Sequence, residues 1–254
     1  MVIRIVQQHL PSTQDTAMTQ PVPFMRIKAV VFDAYGTLFD VYSIGALAEQ
    51  FYPGHGSAIS TMWRDKQIEY TRLITMSDPH NPAGSKHYLP FWDVTQCSLE
   101  YTLDRLKLDR TAQAVKSLMD QYARLTPFPE NLGVLQTLRA GGITTAILSN
   151  GSPDMLQSAV VSAGMTEYLN HVISVDGIRL FKTSPESYAL VEQTIPVRAN
   201  EVLFVSSNCW DALGGTWFGF NTLWINRSGL PYETIGPRPT FTGQSLTKVL
   251  EVIF

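Results

Sequence analysis

The chain has 254 residues, 44% hydrophobic and 16% charged, which describes a globular protein with one large core, or a core with a smaller insert, and excludes a disordered one. Its formal charge is −3 and no basic run is present to neutralise phosphates, so nucleic acid is excluded as a partner and any anion site must be local. Cys97 and Cys209 lie far apart and the five histidines are scattered, which argues against zinc and for buried free thiols in a reducing compartment.

The first 24 residues hold one basic residue and Pro, Gln, Ser and Thr in place of a signal peptide's apolar stretch. They read as a flexible tail, with an upstream start codon used in place of Met18 or Met25. No apolar run approaches the roughly 20 residues of a membrane span, so the expected location is the cytoplasm. Ile27 to Phe32 is a β-branched run that ends abruptly at Asp33, with Gly36 and Thr37 close behind. This is a buried strand delivering a carboxylate to its C-terminal edge.

Val41 to Phe51 is a short amphipathic stretch with Ser43 as its expected cap. Helical patterns follow at Ile59 to Thr75, Phe91 to Leu106 and Thr111 to Leu125, with no strand among them. The loop Ser77 to Lys86 carries two Pro and one Gly and is the expected mobile segment. A helical block placed just after the first strand would sit over Asp33 as a cap.

After Pro127 and Pro129 helices and strands alternate. Helices are expected at Asn131 to Ala140, Pro153 to Ala163, Pro185 to Thr194 and Trp210 to Phe218. Strands are expected at Ile143 to Leu148, His171 to Val175, Val202 to Val205 and, as the last, Thr222 to Ile225. Such alternation predicts a parallel, doubly wound sheet. From Arg227 the chain is rich in Gly and Pro and is expected to wrap the surface before a short terminal helix from Ser245.

The buried strands end in small polar or charged residues. Ser149 and Asn150 follow one; Ser206, Asn208 and then Asp211 follow another; Lys182 comes after Leu180 and Phe181 between them. In a parallel sheet these groups and Asp33 converge on one edge, where α/β proteins hold their ligands. Taken singly, Ser149 and Ser206 are equally good helix caps, Lys182 a solvated lysine and Asp211 a helix N-terminal residue. Their order and spacing favour a common site.

That order is similar to the haloacid dehalogenase superfamily. The segments FDAYGTLFDVYS, MWRDKQIEYT, ILSNGSPDML and LFVSSNCWDALG resemble its L-2-haloacid dehalogenases, with the resemblance running from about Ile27 to the C-terminus. It implies an α/β fold: a doubly wound, Rossmann-like core at 25–40 and 127–254, an inserted all-helical cap at 41–126, and the tail at 1–24. It also implies a homodimer, no metal and no cofactor.

The implied chemistry turns on Tyr35. Phosphatases of this superfamily place a second Asp there to protonate an alkoxide, whereas a halide leaves without a proton. Asp33 is then the nucleophile on a short 2-haloalkanoate such as 2-chloropropionate or a haloacetate, forming an ester that water hydrolyses to the 2-hydroxy acid with inversion. Lys182 supplies the opposite charge, Thr37 holds the carboxylate, Asn208 and Asp211 serve the water, Ser206 orients Lys182 or Asp211, and Tyr188 hydrogen-bonds nearby. Ser149, with backbone N–H groups near Tyr35 and Asn150, receives the substrate carboxylate. Arg64 with Asn150 receives the halide, and Phe91 and Trp210 supply apolar walls. By residue type alone, Phe91, Trp210 and Tyr188 read equally as core and Arg64 as a solvated helix charge. Asp65 departs from the family's usual neutral amide beside Arg64. The alternatives are a magnesium-dependent phosphatase of the same fold and a non-catalytic small-anion-binding protein.

Overall fold

The structure, a computed structural model, describes residues 26–254; the expected tail at 1–24 lies outside them. Six strands form one parallel sheet: β1 (Ala29–Phe32), β2 (Thr144–Ser149), β3 (His171–Ser174), β4 (Val202–Ser206), β5 (Asn221–Ile225) and β6 (Phe241–Gly243). The spatial order is β3-β2-β1-β4-β5-β6. The AVVF of β1 is wholly buried, as a strand covered on both faces must be, and it pairs with β2 on one side and β4 on the other. Strand order therefore reverses at β1, and the crevice beyond its C-terminal end is the binding edge of such a sheet.

Between β1 and the core helix α5 (Asn131–Ala140) lie four helices: α1 (Ile44–Phe51), α2 (Gly56–Met76), α3 (Phe91–Arg105) and α4 (Ala112–Tyr122). This is the inserted helical cap. Thr111 caps α4 by accepting from the Ala114 N–H at 3.1 Å. The remaining helices are α6 (Pro153–Ser162), α7 (Pro185–Thr194), α8 (Cys209–Phe218) and α9 (Lys248–Ile253), with a 3₁₀ turn at Val175–Ile178. Among the described residues no helix is long and apolar enough to cross a membrane.

Several expectations are corrected. Thr222 to Ile225 does not hold the last strand: β6 adds to β5 at the sheet edge, with Trp224 opposite Thr242. Ser43 is itself helical and caps nothing; its Oγ donates to the Asp40 carbonyl, and Asp40 Oδ1 takes the Tyr42 N–H, so Asp40 organises the turn. Neither thiol is buried: Cys97 is exposed on the outer face of α3, and Cys209 is half-buried at the start of α8's first turn. The loop Ser77 to Lys86 is anchored to the core at its Gly84–Ser85 end. The Ser85 N–H donates to the Arg179 carbonyl at 3.1 Å, and Gly84 packs against Ile178 and Arg179 of the core. Two side-chain bonds tie the same seam: Phe181 N–H to Thr75 Oγ1 at 3.0 Å and Tyr88 O–H to Asp176 Oδ1 at 2.7 Å.

Candidate active site

Asp33 follows β1 directly and is 5% exposed. Gly36 turns the chain away at φ +94°, a conformation that favours glycine, and this brings Thr37 back to the carboxylate. Thr37 Oγ1 donates to Asp33 Oδ2 at 2.9 Å and accepts from the Ser207 N–H at 2.8 Å. Asn208 Nδ2 donates to the same Oδ2 at 2.7 Å, and Ser206 Oγ reaches it at 3.5 Å. Asp33 Oδ1 takes a bond from Lys182 Nζ at 3.1 Å. One carboxylate oxygen is thus crowded with donors while the other meets only an ammonium.

Lys182 is 1% exposed and comes from the stretch between the 3₁₀ turn and α7, not from a strand end as the pattern suggested. Its ammonium bridges two carboxylates, bonding Asp211 Oδ2 at 3.0 Å as well as Asp33. Its backbone N–H donates to Asn150 Oδ1 at 2.9 Å, which links it to the end of β2. Asp211, in the first turn of α8, is fully buried and accepts from Tyr188 O–H at 2.8 Å through Oδ1. Burial pushes the Asp211 carboxyl up to about 6, against the pull of Lys182 and with the help of the Asp33 charge. Burial first, and then Asp211, push the Tyr188 phenol well above its usual range, so it stays a donor.

The expected partners of Ser206 are corrected. It hydrogen-bonds to neither Lys182 nor Asp211; its Oγ donates to Asp33 Oδ2 and accepts from the Asn208 N–H at 3.1 Å, because β4 is the direct neighbour of β1. Asn208 is fully engaged: Nδ2 also donates to the Tyr35 carbonyl at 2.9 Å, and Oδ1 accepts from Arg64 Nη2 at 3.1 Å. Arg64 descends from α2 and also donates to the Tyr35 carbonyl at 3.0 Å. Cap and core therefore meet directly above Asp33.

The Tyr35 ring turns into an aromatic wall, 5.6 Å from both the Phe91 and Tyr122 ring centroids and stacked on the latter. Phe91 is buried. Ser149 is buried at the end of β2, where its Oγ accepts from the Gly151 N–H at 3.0 Å. Trp210 stands apart from this network, on a groove of about 930 Å³ between α2 and the 230–234 loop that also reaches Arg64, Asp65 and Asn208. Asp33 is not among the walls of that groove. Among the described residues, no group of three or more His, Cys, Asp or Glu is placed to hold a metal ion.

Three contributors escaped the sequence reading. Gln67 and Tyr122 back Arg64 from inside the cap, and Arg227, ion-paired to Glu130 at 2.5 Å, donates to the Thr37 carbonyl at 3.4 Å. Gln67 carried a usable signal, since i and i+3 share a helix face; Tyr122 and Arg227 carried none.

The chain resembles proteins of known activity. It is 40% identical over 226 residues to the (S)-2-haloacid dehalogenase of Pseudomonas sp. (strain YL), which covers 89% of this chain and 94% of that one. A solved L-2-haloacid dehalogenase superposes with a TM-score of 0.86 at 52% identity, covering 89% of this chain and 98% of the other. The L-2-haloacid dehalogenase of Xanthobacter autotrophicus with chloropropionic acid covalently bound gives 0.80 at 40% identity, with 89% and 98% covered. Residues 27–219 match the haloacid dehalogenase-like hydrolases, and the chain belongs to that family.

Proposed function

We propose that the protein is a hydrolytic (S)-2-haloacid dehalogenase acting on short 2-haloalkanoates. The observation that carries this is the unequal dressing of the Asp33 carboxylate beside Tyr35. Oδ1, with one partner, keeps a lone pair for attack on C2 from behind; the C–O bond forms as the carbon–halogen bond breaks, and halide leaves with the bonding electrons. Oδ2 then becomes the ester carbonyl oxygen. Thr37 and Asn208 are already aimed at it, 2.9 and 2.7 Å away, and stabilise the negative charge it gains when water adds to Cγ. Collapse breaks the bond between Cγ and the ester oxygen; the departing alkoxide takes the proton that Asp211 drew from the water, which frees the 2-hydroxy acid, and the new Cγ carboxyl loses its own proton to restore the Asp33 carboxylate.

The other roles follow from placement. Asp211, ionised, draws the proton from the hydrolytic water, with Tyr188 and Lys182 holding its two oxygens. Ser149, beside the start of α6, takes the substrate carboxylate together with backbone N–H groups near Tyr35 and Asn150. Arg64 receives the halide, Phe91 walls the site, and Trp210 lines its approach. The block at 41–126 acts as a cap domain over a core of 25–40 and 127–254. We also read the protein as a cytoplasmic homodimer, to be weighed by light scattering.

Tyr35 separates this reading from a phosphatase, because its side chain provides neither a leaving-group acid nor a metal-binding carboxylate. The test is halide release from both enantiomers of 2-chloropropionate, with and without a chelator. Release from the (S) form should survive the chelator, and Asp33→Asn should abolish it in a brief assay. Chelator-sensitive hydrolysis of phosphate esters in place of halide release would overturn the assignment.

A further inference from the structure

We infer that Gln67 is a positioning residue that aims the Arg64 guanidinium at the departing halide, an inference that rests on the carbon–halogen reading above. The two side chains lie one turn apart on α2, and Gln67 is 1% exposed. Its amide has one allowed orientation. Thr95 Oγ1 donates its proton to the Phe91 carbonyl at 2.6 Å, so toward Gln67 it can only accept, from Nε2 at 2.6 Å. Gln67 Oε1 is left facing Arg64 Nη1 at 2.7 Å, and it also takes the Tyr122 O–H at 3.2 Å.

A guanidinium is planar, so holding one nitrogen fixes the plane of the others. With Nη1 held by Gln67, Nη2 is directed at the Tyr35 carbonyl and Asn208 Oδ1, over the end of β1. The acceptors of Arg64 are Gln67, Tyr35 and Asn208, all neutral oxygens. The nearby Glu69 is occupied by Lys66 at 2.6 Å. Among the described residues neither Asp65 nor Asp33 is bonded to Arg64, so its positive charge is oriented by neutral oxygens with no carboxylate partner, as a group that must stabilise a forming anion requires. A carboxylate at position 67 would hold the same nitrogen and cancel the charge.

The test measures single-turnover halide release from (S)-2-chloro-, 2-bromo- and 2-iodopropionate by wild type, Gln67→Glu and Thr95→Val. Gln67→Glu should slow release roughly 10- to 100-fold for chloride. The loss should be smaller for bromide and smallest for iodide, since the more diffuse anion depends least on a fixed donor. The rate of ester hydrolysis after the burst should hold. Thr95→Val, which keeps the side-chain shape but removes the acceptor that steadies Gln67 Nε2, should give the same halide order with a smaller loss, and it carries the test if Gln67→Glu does not fold. Equal losses across the three halides, or none in either variant, would mean that Gln67 serves only the packing of the cap. A wild type that releases no halide would instead refute the carbon–halogen reading itself.

Discussion

Asp211 shows how much of the site's chemistry is set by what surrounds one side chain. Burial raises its carboxyl, Lys182 on one oxygen and Tyr188 on the other lower it, and the balance stands at about 6. If the ionised form draws the proton from water, activity falls as pH drops through about 6, where Asp211 takes up a proton. Tyr188 donates to the anion, so Tyr188→Phe should move this acid limb to higher pH as well as lower the plateau. A pH–rate profile of 2-hydroxy acid formation reads both effects. An unmoved limb in Tyr188→Phe would mean that the titrating group is not Asp211.

Among the elements, the Ser77 to Lys86 segment departs furthest from what its composition suggests. Polar residues with two Pro and one Gly describe a free loop, yet the Ser85 N–H donates to the core carbonyl of Arg179, a partner far away in sequence that no local pattern reveals. Gly84 sits at φ +81°, and a Cβ there would meet the Ile178 carbonyl and Arg179. Gly84→Ala should cost ~1–2 kcal/mol for the left-handed backbone alone, more with the clash, and lower Tm by about 2–4 °C per kcal/mol; calorimetry checks it, and an unchanged Tm would show that this anchor holds nothing. Elements with a strong period were legible: the β-branched run of β1 and the helices of the cap stand close to where their residues placed them. β6 was not, since Phe241–Gly243 is three residues, none of them buried, whose strand signal is the neighbour they pair with. The same divide runs through the site. Asp33, Ser206 and Asp211 were legible because sheet topology brings strand ends together. Ser206's true partner and the Gln67–Arg64 bond depend on which side chains meet in space.

Across the whole molecule the buried cluster sets function against stability. Asp33, Lys182 and Asp211 sit where β1, β4, α7 and α8 close the core, and one ammonium serves two carboxylates in a site nearly shut off from water. In the folded chain Asp211 holds its proton up to about 6, whereas an unfolded aspartate releases it near 3.8. The folded state thus binds the proton more tightly, so this group's stabilising contribution is complete below the unfolded value and is lost as pH rises through about 6. At neutral pH the ionised, buried Asp211 therefore subtracts from the stability of the fold. Asp211→Asn removes the titration while keeping the shape: its oxygen can accept from Lys182 and its nitrogen can donate to the Tyr188 oxygen, with Asp33 still paired to Lys182. The variant should be inactive yet melt several degrees above wild type at pH 7.5, with the gap closing toward pH 5 as the wild-type carboxyl gains its proton. Melting curves of both proteins across that range provide the test. A variant less stable at pH 7.5, or a gap that does not change with pH, would mean that Lys182 needs both carboxylates to be held in the core, and that the site is stabilised by its charges rather than strained by them.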